Sequence, residues 1–427
     1  MTSKMLQNCD KTLIIGIDIA KKIHWAQVTD SIGKVLCKPI KITNDIEGFT
    51  NFLDQIHNLS SKFEYEQIYI GFEPSGHYWR AIAWYLNSYE NIHVVGVNPY
   101  HVKQLKELED NSQTKNDKKD ALVIAHLIRD GRYFDIYLPE DHYADLRILR
   151  TYREQISDNR KRIHNHIVVI MDEFFPEYES IGFNMSCLSS KIIFRTTPFP
   201  ADIKSYSASE LRELWKEQSP TGHIRISNAF TERLISTASR SIGVTEGVEA
   251  ARFKLNALID QLDLVDSQIE QCDSLMDALM QALDIDKFIT SVPGVGSVTA
   301  ASFIAETGDL SRFDDWKQIR KLAGLNLVEQ SSGQHKGKTK VSKRGRPGLR
   351  KVIYLIGDKG MLVSPEMMSY YQYLRHRKNN QLKHDQAVLA VGLKLMRIMF
   401  HVVKYKELYN PDKALGDVRK KQILELA

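Results

Sequence analysis

The chain has 427 residues, 43% of them hydrophobic and 26% charged, an ordinary globular balance with room for two or three domains. A net charge of +5 permits a nucleic-acid partner without demanding one. The four cysteines (Cys9, Cys37, Cys187, Cys272) are scattered, which excludes a CxxC zinc site and a disulfide framework and points to a reducing compartment.

No apolar run approaches the length of a membrane span, and the first ten residues lack the apolar core of a signal peptide. A cytoplasmic protein with no membrane partner is expected. Thr12–Asp18, His24–Thr29 and Val35–Ile42 read as strands, Asp45–Leu59 as a helix capped by Asn44 or Asp45, and Gln67–Glu73 as a fourth strand. A helix over Tyr78–Tyr89, a strand over Ile92–Val97 and helices near Tyr100–Leu108 and Asp117–Asp130 follow. Three strands, a helix, then strand–helix–strand–helix is the order of an RNase H-like fold.

Four acids occupy informative places in that order. Asp18 ends the first strand, Glu73 ends the fourth, and Asp117 and Asp120 lie one helical turn apart. Strand-end acids facing acids on a helix suit hard divalent cations, and two such ions polarise a phosphodiester. Taken singly, each acid is as readily a cap or a loop ligand of backbone N–H groups. Gly16 and Gly71, each two residues before an acid, fit a close backbone approach or ordinary sheet packing. His24 and His77 lie near Asp18 and Glu73, as proton shuttles or as packing and surface residues.

Asp141–Phe175 is a long helical stretch whose arginines form either a solvated face or a nucleic-acid surface. Residues 176–205 read as irregular. Ser207–Gln218 is a helix with a Ser207/Glu210 capping box. Glu246–Asp284 carries a seam of Leu255, Leu258, Leu262, Val265 and Ile269, suited to a coiled coil or helical hairpin. From about Phe288 a new domain begins. Pro293-Gly-Val-Gly296 is a helix-hairpin-helix-like turn, whose Gly294 and Gly296 would let N–H groups approach a phosphate.

Ser331–Lys351 holds eight basic residues and no acid: Lys336, Lys338, Lys340, Lys343, Arg344, Arg346, Arg350 and Lys351. Its glycines make it a loop as far as Leu349, and its charge suits salt-sensitive phosphate contacts. Ser331-Ser332-Gly333 at its entrance is a turn, or a nucleophile if something activates it. The Tyr370–Tyr373 stretch and Arg375-His376-Arg377-Lys378 form either a nucleic-acid grip or a solvated turn.

These pieces together resemble the DEDD transposases of bacterial insertion sequences, whose better-known members are bridge-RNA-guided DNA recombinases. The matching motifs are Gly16-Ile-Asp18-Ile-Ala-Lys21, Phe72-Glu73-Pro-Ser-Gly76, Val97-Asn-Pro99 and Lys115-Asn-Asp117-Lys-Lys-Asp120-Ala121. Later come Pro293-Gly-Val-Gly296, Phe303-Ile-Ala-Glu-Thr-Gly308-Asp309, Leu322-Ala-Gly-Leu325, Ser332-Gly333 and Ser342-Lys-Arg-Gly345.

The resemblance implies an α/β plus α architecture. A RuvC-like (RNase H fold) domain would span 10–175, a helical coiled-coil linker 176–285 and a mainly helical transposase domain 286–427. Ile181–Val248 has no counterpart in simpler members and reads as an insertion. Asp18, Glu73, Asp117 and Asp120 would hold Mg²⁺ (or Mn²⁺), and Ser332, which directly precedes the glycine, would attack DNA to form a phosphoserine link. The implied partners are donor DNA, target DNA, a structured guide RNA and three further copies in a tetramer built as a dimer of dimers. In that assembly the acids of one subunit meet the serine of another. Two other readings stand beside this one: a two-metal hydrolase of the junction-resolvase type, and a non-enzymatic nucleic-acid-binding protein.

Overall fold

The computed structural model describes residues 11–109, 117–183, 187–220, 222–223, 225–329, 331–332, 335–336 and 339–425. The chain divides into two compact units that part between Leu138 and Pro139.

The first unit is built on β1 (Thr12–Asp18), β2 (Ile23–Thr29), β3 (Ile40–Thr43), α1 (Ile46–Lys62), β4 (Gln67–Phe72), α2 (Trp79–Asn87), β5 (Ile92–Val97), α3 (Pro99–Glu109), α4 (Asp117–Arg129) and β6 (Tyr133–Asp135). Its sheet runs β3-β2-β1-β4-β5-β6, with β1, β4 and β5 parallel and the other pairings antiparallel. The central strands are unbroken Ile/Leu/Val runs because both faces are covered. Leu13, Ile15 and Ile17 pack with Phe52, Ile56, Ile82 and Leu86 on one face. Ile14, Val95 and Val97 pack with Val123, Ile124 and Ile128 of α4 on the other.

Asp45 caps α1 by accepting from Gly48 N at 2.7 Å, as its position before the helix implies. The third strand is shorter than its sequence suggests. Val35 makes only an isolated bridge to Thr29, and pairing with β2 begins at Ile40, just after Pro39. Proline has no N–H to give a ladder. The short β6 escapes a periodicity reading altogether, since three residues cannot show alternation.

The second unit comprises α5 (Asp141–Phe174), α6 (Leu188–Thr196), α7 (Pro200–Lys204), α8 (Ala208–Glu217), α9 (Asn228–Ser239), α10 (Val248–Ala282), α11 (Asp286–Ile289), α12 (Ser297–Thr307) and α13 (Trp316–Leu322). Then follow β7 (Leu327–Val328), β8 (Ser331–Ser332), β9 (His335–Lys336) and β10 (Lys340–Val341). The unit ends with α14 (Pro347–Val363), α15 (Pro365–His376), α16 (His384–Tyr405), α17 (Pro411–Ala414) and α18 (Asp417–Leu424).

Helices α5 and α10 run antiparallel: Cys272 lies at Leu149, while Asp266 lies at Arg160. Leu146, Ile156, Ile163 and Ile167 face Leu255, Leu258, Leu262 and Val265 in one continuous core. This pairing makes α5 part of the second compact unit, although the sequence reads it as the end of the first domain. Three of the arginines of α5 are taken up by acids, while Arg162 is exposed. Arg153 is bound to Asp273, Arg160 to Asp266, and Arg150 to Glu306 at 2.8 Å.

The stretch 188–204 is not irregular. It forms α6 and α7, with Pro200 in the first turn of α7, where a missing N–H costs nothing. The Ser207/Glu210 capping box of α8 is present. The inserted helices bury Phe194, Phe199, Leu211, Trp215 and Leu234 in the same core as the long pair. Trp215 Nε1 donates to Thr197 Oγ1 at 2.9 Å, so this large side chain is buried with its polar atom satisfied. Among the described residues one helix, α16, is long and apolar enough to cross a membrane; its apolar side packs in this core against residues of α14.

Ion pairs bind the insertion to α10. Lys191 reaches Asp263 and Asp266, and Arg195 reaches Asp260 and Asp263. Burial raises the Asp263 pKa, but hydrogen bonds from Lys191 and Arg195 outweigh it and hold the carboxyl below its ordinary 3.8. A depressed folded pKa gives stability that is present above 3.8 and lost as pH falls through the folded value. Asp263→Asn is therefore expected to lower the melting temperature at neutral pH and to flatten its decline in acid. Circular-dichroism melts across pH check this; an acid decline as steep as wild type counts against it.

Candidate active site

Asp18 and Glu73 lie side by side at the sheet's centre. Strands β1 and β4 are parallel and in register through Ile17–Phe72, and each acid is the next residue on its strand. Both are half-buried. Alternation puts them on the face of Gly16, Gly71 and Ile14, which is the face that α4 covers.

Gly16 and Gly71 are themselves register partners, and together they seat α4. A Cβ on Gly16 would overlap the carbonyl oxygen of Ala121 and the amide nitrogen of Ala125, both backbone atoms. A Cβ on Gly71 would stand 2.6 Å from Ile128 Cδ1 and 2.8 Å from Val95 Cγ2. The first turn of α4, bearing Asp117 and Asp120, thus belongs to the helix that crosses these two strands two residues before their acids. The packing reading and the close-approach reading of the glycines are one and the same here.

Asp120 is held by Lys106 of α3, Nζ to Oδ2 2.6 Å, with the carboxylate side chain only 14% exposed. Arg129 binds Asp130 instead, and the side chain of Lys118 lies outside the described residues. The side chain of Asp117 lies outside the described residues. Among those described, no group of three or more His, Cys, Asp or Glu closes into a metal site. The donor set, carboxylates at adjacent strand ends beside a helix bearing two more, has the all-oxygen character that hard divalent cations require.

His24 is fully buried on β2, where its Nδ1 accepts from Ala20 N at 3.2 Å. Burial lowers its pKa, so the ring is neutral and pins the turn that follows Asp18. It is a packing histidine. His77 is exposed next to Tyr78.

In the second unit the basic segment is a β-ribbon, not an open loop. Strands β7 and β10 pair at its base, Lys340 with Val328 and Val341 with Leu327. Strands β8 and β9 pair toward its tip, Ser331 with Lys336 and Ser332 with His335. Ser332 therefore occupies the last paired rung before a two-residue connection. The side chains of Ser331, Ser332 and Lys336, and the whole of Lys338, lie outside the described residues.

The ribbon's base is anchored to the segment after α13. Ser342 N donates to Asn326 O at 2.8 Å, Lys343 N to Gly324 O at 2.9 Å and Arg346 N to Leu322 O at 2.8 Å. Helix α14 begins at Pro347, two residues earlier than the glycines suggest. Lys340, Lys343 and Arg344 are exposed. Arg346 donates to Glu306 O and Arg350 to Ala323 O at 2.8 Å, so these two hold the ribbon to α12 and α13. Arg375 and Arg377 likewise donate to Leu382 O and Asn380 O and shape the turn after α15.

Gly294 and Gly296 differ in role. Gly294 has φ +79° and abuts the backbone of Gly360 on α14, so packing requires it. Gly296 is exposed, with open space where a Cβ would be, at the N-cap of α12. The helix before this turn, α11, has only four residues. Sequence reasoning missed Lys106, which has no motif around it; its one signal is a cation on the amphipathic helix that precedes Asp120.

Paired strand-end carboxylates under an acid-bearing helix, in a chain that also carries a basic serine ribbon, mark a protein that processes nucleic acid. Residues 15–176 match the family model of DEDD transposases of the IS110 type. Residues 286–372 match that of the transposase IS116/IS110/IS902 family. An uncharacterized 44.8 kDa protein of insertion element IS116 from Streptomyces clavuligerus is 25% identical over 399 residues, covering 93% of this chain and 96% of the relative. The IS117 mini-circle protein of Streptomyces coelicolor is 27% identical over 337 residues, 76% and 78% of the two chains. The transposase for insertion sequence element IS1111A of Coxiella burnetii is 29% identical over 153 residues, 35% and 41% of the two chains. The chain belongs to the IS110 family of DEDD transposases, which makes it a DNA-recombining enzyme.

Gly16→Ala is expected to destabilise the first unit by at least about 3 kcal/mol, since backbone atoms of α4 cannot step aside. Denaturant unfolding checks this, and a loss near zero would mean that α4 does not cross there. In the second unit Gly294→Ala lowers the melting temperature and Gly296→Ala leaves it unchanged. Equal effects of the two would contradict the packing distinction.

Proposed function

We propose that this transposase cuts and rejoins DNA through Ser332, assisted by divalent metal at Asp18, Glu73, Asp117 and Asp120, and guided by a structured RNA. The placement of Asp18 and Glu73 one residue past the Ile17–Phe72 rung, under the helix that bears the other two acids, carries this reading. The membership of both units in one transposase family supports it. The first unit is then a RuvC-like domain, the long helical pair with its insertion the linker, and the last part the transposase domain with its helix-hairpin-helix-like turn.

In the chemical step the Ser332 oxygen bonds to phosphorus as its proton passes to solvent. The phosphorus–oxygen bond to deoxyribose breaks, the departing oxygen taking up one proton from solvent to leave as a hydroxyl. Attack by a hydroxyl of another strand reverses this and frees the serine. Bound Mg²⁺ (or Mn²⁺) supplies positive charge against the charge developing on the phosphate. Lys106 now neutralises Asp120 and would give way to that charge. Exposed Lys340, Lys343 and Arg344 on the ribbon, with Lys336, Lys338 and the Gly296 turn, contact phosphates. Arg346 and Arg350 keep the ribbon in place. The working form is a tetramer that acts in the bacterial cytoplasm on donor and target DNA.

The test mixes purified protein, its element-flanking RNA, labelled donor and target DNA and Mg²⁺, and reads a denaturing gel for a protein–DNA adduct. Wild type is expected to form the adduct, with Ser332→Ala and Asp18→Ala each losing it at least a hundredfold, on the order seen when a reacting or charge-stabilising group is removed. Cleavage without an adduct that survives Ser332→Ala would replace this mechanism with metal-assisted hydrolysis.

A further inference from the structure

Three cations gather on one side of α16, away from the basic ribbon in sequence. Lys394 and Arg397 stand one helical turn apart on that helix, and Arg419 joins them from α18. Each arginine lies over aromatic rings. Arg397 is 5.6 Å from the centroid of Trp316, whose ring also carries Arg320 at 5.3 Å. Arg419 is 4.6 Å from Tyr373 and 5.4 Å from Tyr370. Stacking fixes a planar guanidinium while leaving its edge N–H donors available.

Lys394 is half-buried. Burial first, then the charges of Arg397 and Arg419, push its pKa down. Among the described residues none of the three makes a salt bridge to a carboxylate. Asp315 feels Arg397 only weakly; its own carboxyl is held low chiefly by the backbone N–H of Lys317. This contrasts with the α5–α10 pair, where the partly buried cations Arg153, Arg160 and Lys191 each meet an aspartate. Arg397 is exposed, but like charges around the half-buried Lys394 raise the energy of the fold unless an anion joins them. Phosphate oxygens suit both ammonium and guanidinium donors, and Arg edges in particular.

The group also borders the ribbon's anchor. Arg320, which shares the Trp316 ring with Arg397, donates from Nε to Asn326 Oδ1 at 3.0 Å. Asn326 O in turn accepts from Ser342 N at the ribbon's base. We propose that Lys394, Arg397 and Arg419 form a phosphodiester-binding patch that seats one nucleic-acid strand beside the base of the serine ribbon. This rests on the nucleic-acid-processing role of the chain and adds to it a contact outside the Ser331–Lys351 segment. The patch takes a backbone phosphate, whether of DNA or of RNA, and reads no base.

The test uses the full chain as Lys394→Gln, Arg397→Gln and the double variant, with Lys340→Gln/Lys343→Gln as a ribbon control. Binding to a duplex DNA and, separately, to a single-stranded RNA of arbitrary sequence is measured across a salt series. The slope of log affinity against log salt is expected to lose about one unit per phosphate contact removed. A loss with DNA alone assigns the strand to DNA, and a loss with RNA alone assigns it to RNA. Arg397→Lys keeps the charge and is expected to keep most of the slope. Lys394→Gln is expected to melt no lower than wild type, because a like charge is removed, which separates lost binding from lost folding. Wild-type slopes in the patch variants, with a reduced slope in the ribbon control, would overturn the patch and leave the wider reading intact. No salt-dependent binding by wild type would overturn both.

Discussion

Helix α4 rests with backbone against backbone on Gly16, and the candidate active site depends on that contact. Had β1 carried any side chain there, α4 would stand off the sheet and take Asp117 and Asp120 away with it. The same device recurs in the second unit. Gly357 of α14 and Gly392 of α16 abut each other, where a Cβ on Gly357 would lie 2.7 Å from Gly392 N. Gly345 abuts the backbone of Ala323 and Gly324 at the foot of the ribbon, where a Cβ would stand 2.9 Å from Ala323 C. Acids, serine ribbon and cation patch are thus each positioned by helices or loops that approach closer than side chains permit. Such contacts leave little freedom to slide, which suits groups that must meet a phosphate at fixed distance.

Charge is arranged on a different principle in the long helical pair. There Arg153 and Arg160 of α5 are matched with Asp273 and Asp266 of α10, and Arg150 with Glu306, at side-chain exposures of 13% and 12%. Gly348 at the start of α14 leaves room for that pair, since a Cβ would stand 2.5 Å from Arg150 Nη2. Matched pairs of this kind fix register between helices more than they add stability. They leave α5 with fewer cations for a nucleic-acid partner than its sequence suggests. Lys340, Lys343 and Arg344 on the ribbon and Arg397 on α16 are exposed basic residues outside that pair.

Much of the first unit was legible from the sequence because buried parallel strands are continuous Ile/Leu/Val runs and the caps are chemically distinct. Thr12–Asp18, Ile92–Val97 and the Ser207/Glu210 box read correctly, Gln67–Glu73 ran one residue past the strand's end at Phe72, and of the two caps offered Asp45 is the one used. The acids stood out by their strand ends. Side-chain pairing did not, because Lys106–Asp120 and Arg153–Asp273 join residues that only the packed helices bring together. The ribbon was hidden for a separate reason. Two-residue strands of Ser, His and Lys carry neither alternation nor apolar content, and the backbone bonds from Ser342 and Lys343 to Asn326 and Gly324 that anchor the ribbon's base leave no side-chain pattern. Helices α6 and α7 were obscured by Pro198 and Pro200, which read as breaks although proline at a first turn opens a helix.

The fold compensates its acids and its cations in different ways. Among the candidate acids, Asp120 of α4 is paired with Lys106, a flexible ammonium. Among the described residues the cations gathered at α16 make no salt bridge, and the two arginines lie over Trp316, Tyr370 and Tyr373. Aromatic rings steady a guanidinium without neutralising it, so the patch keeps its charge and its orientation together. Along α5 and α10, by contrast, charges of both signs are present in matched positions and cancel. Arg160 and Arg153 are neutralised by acids, whereas Arg397 and Arg419 lie on rings and, on the proposed reading, meet a phosphate from outside the chain.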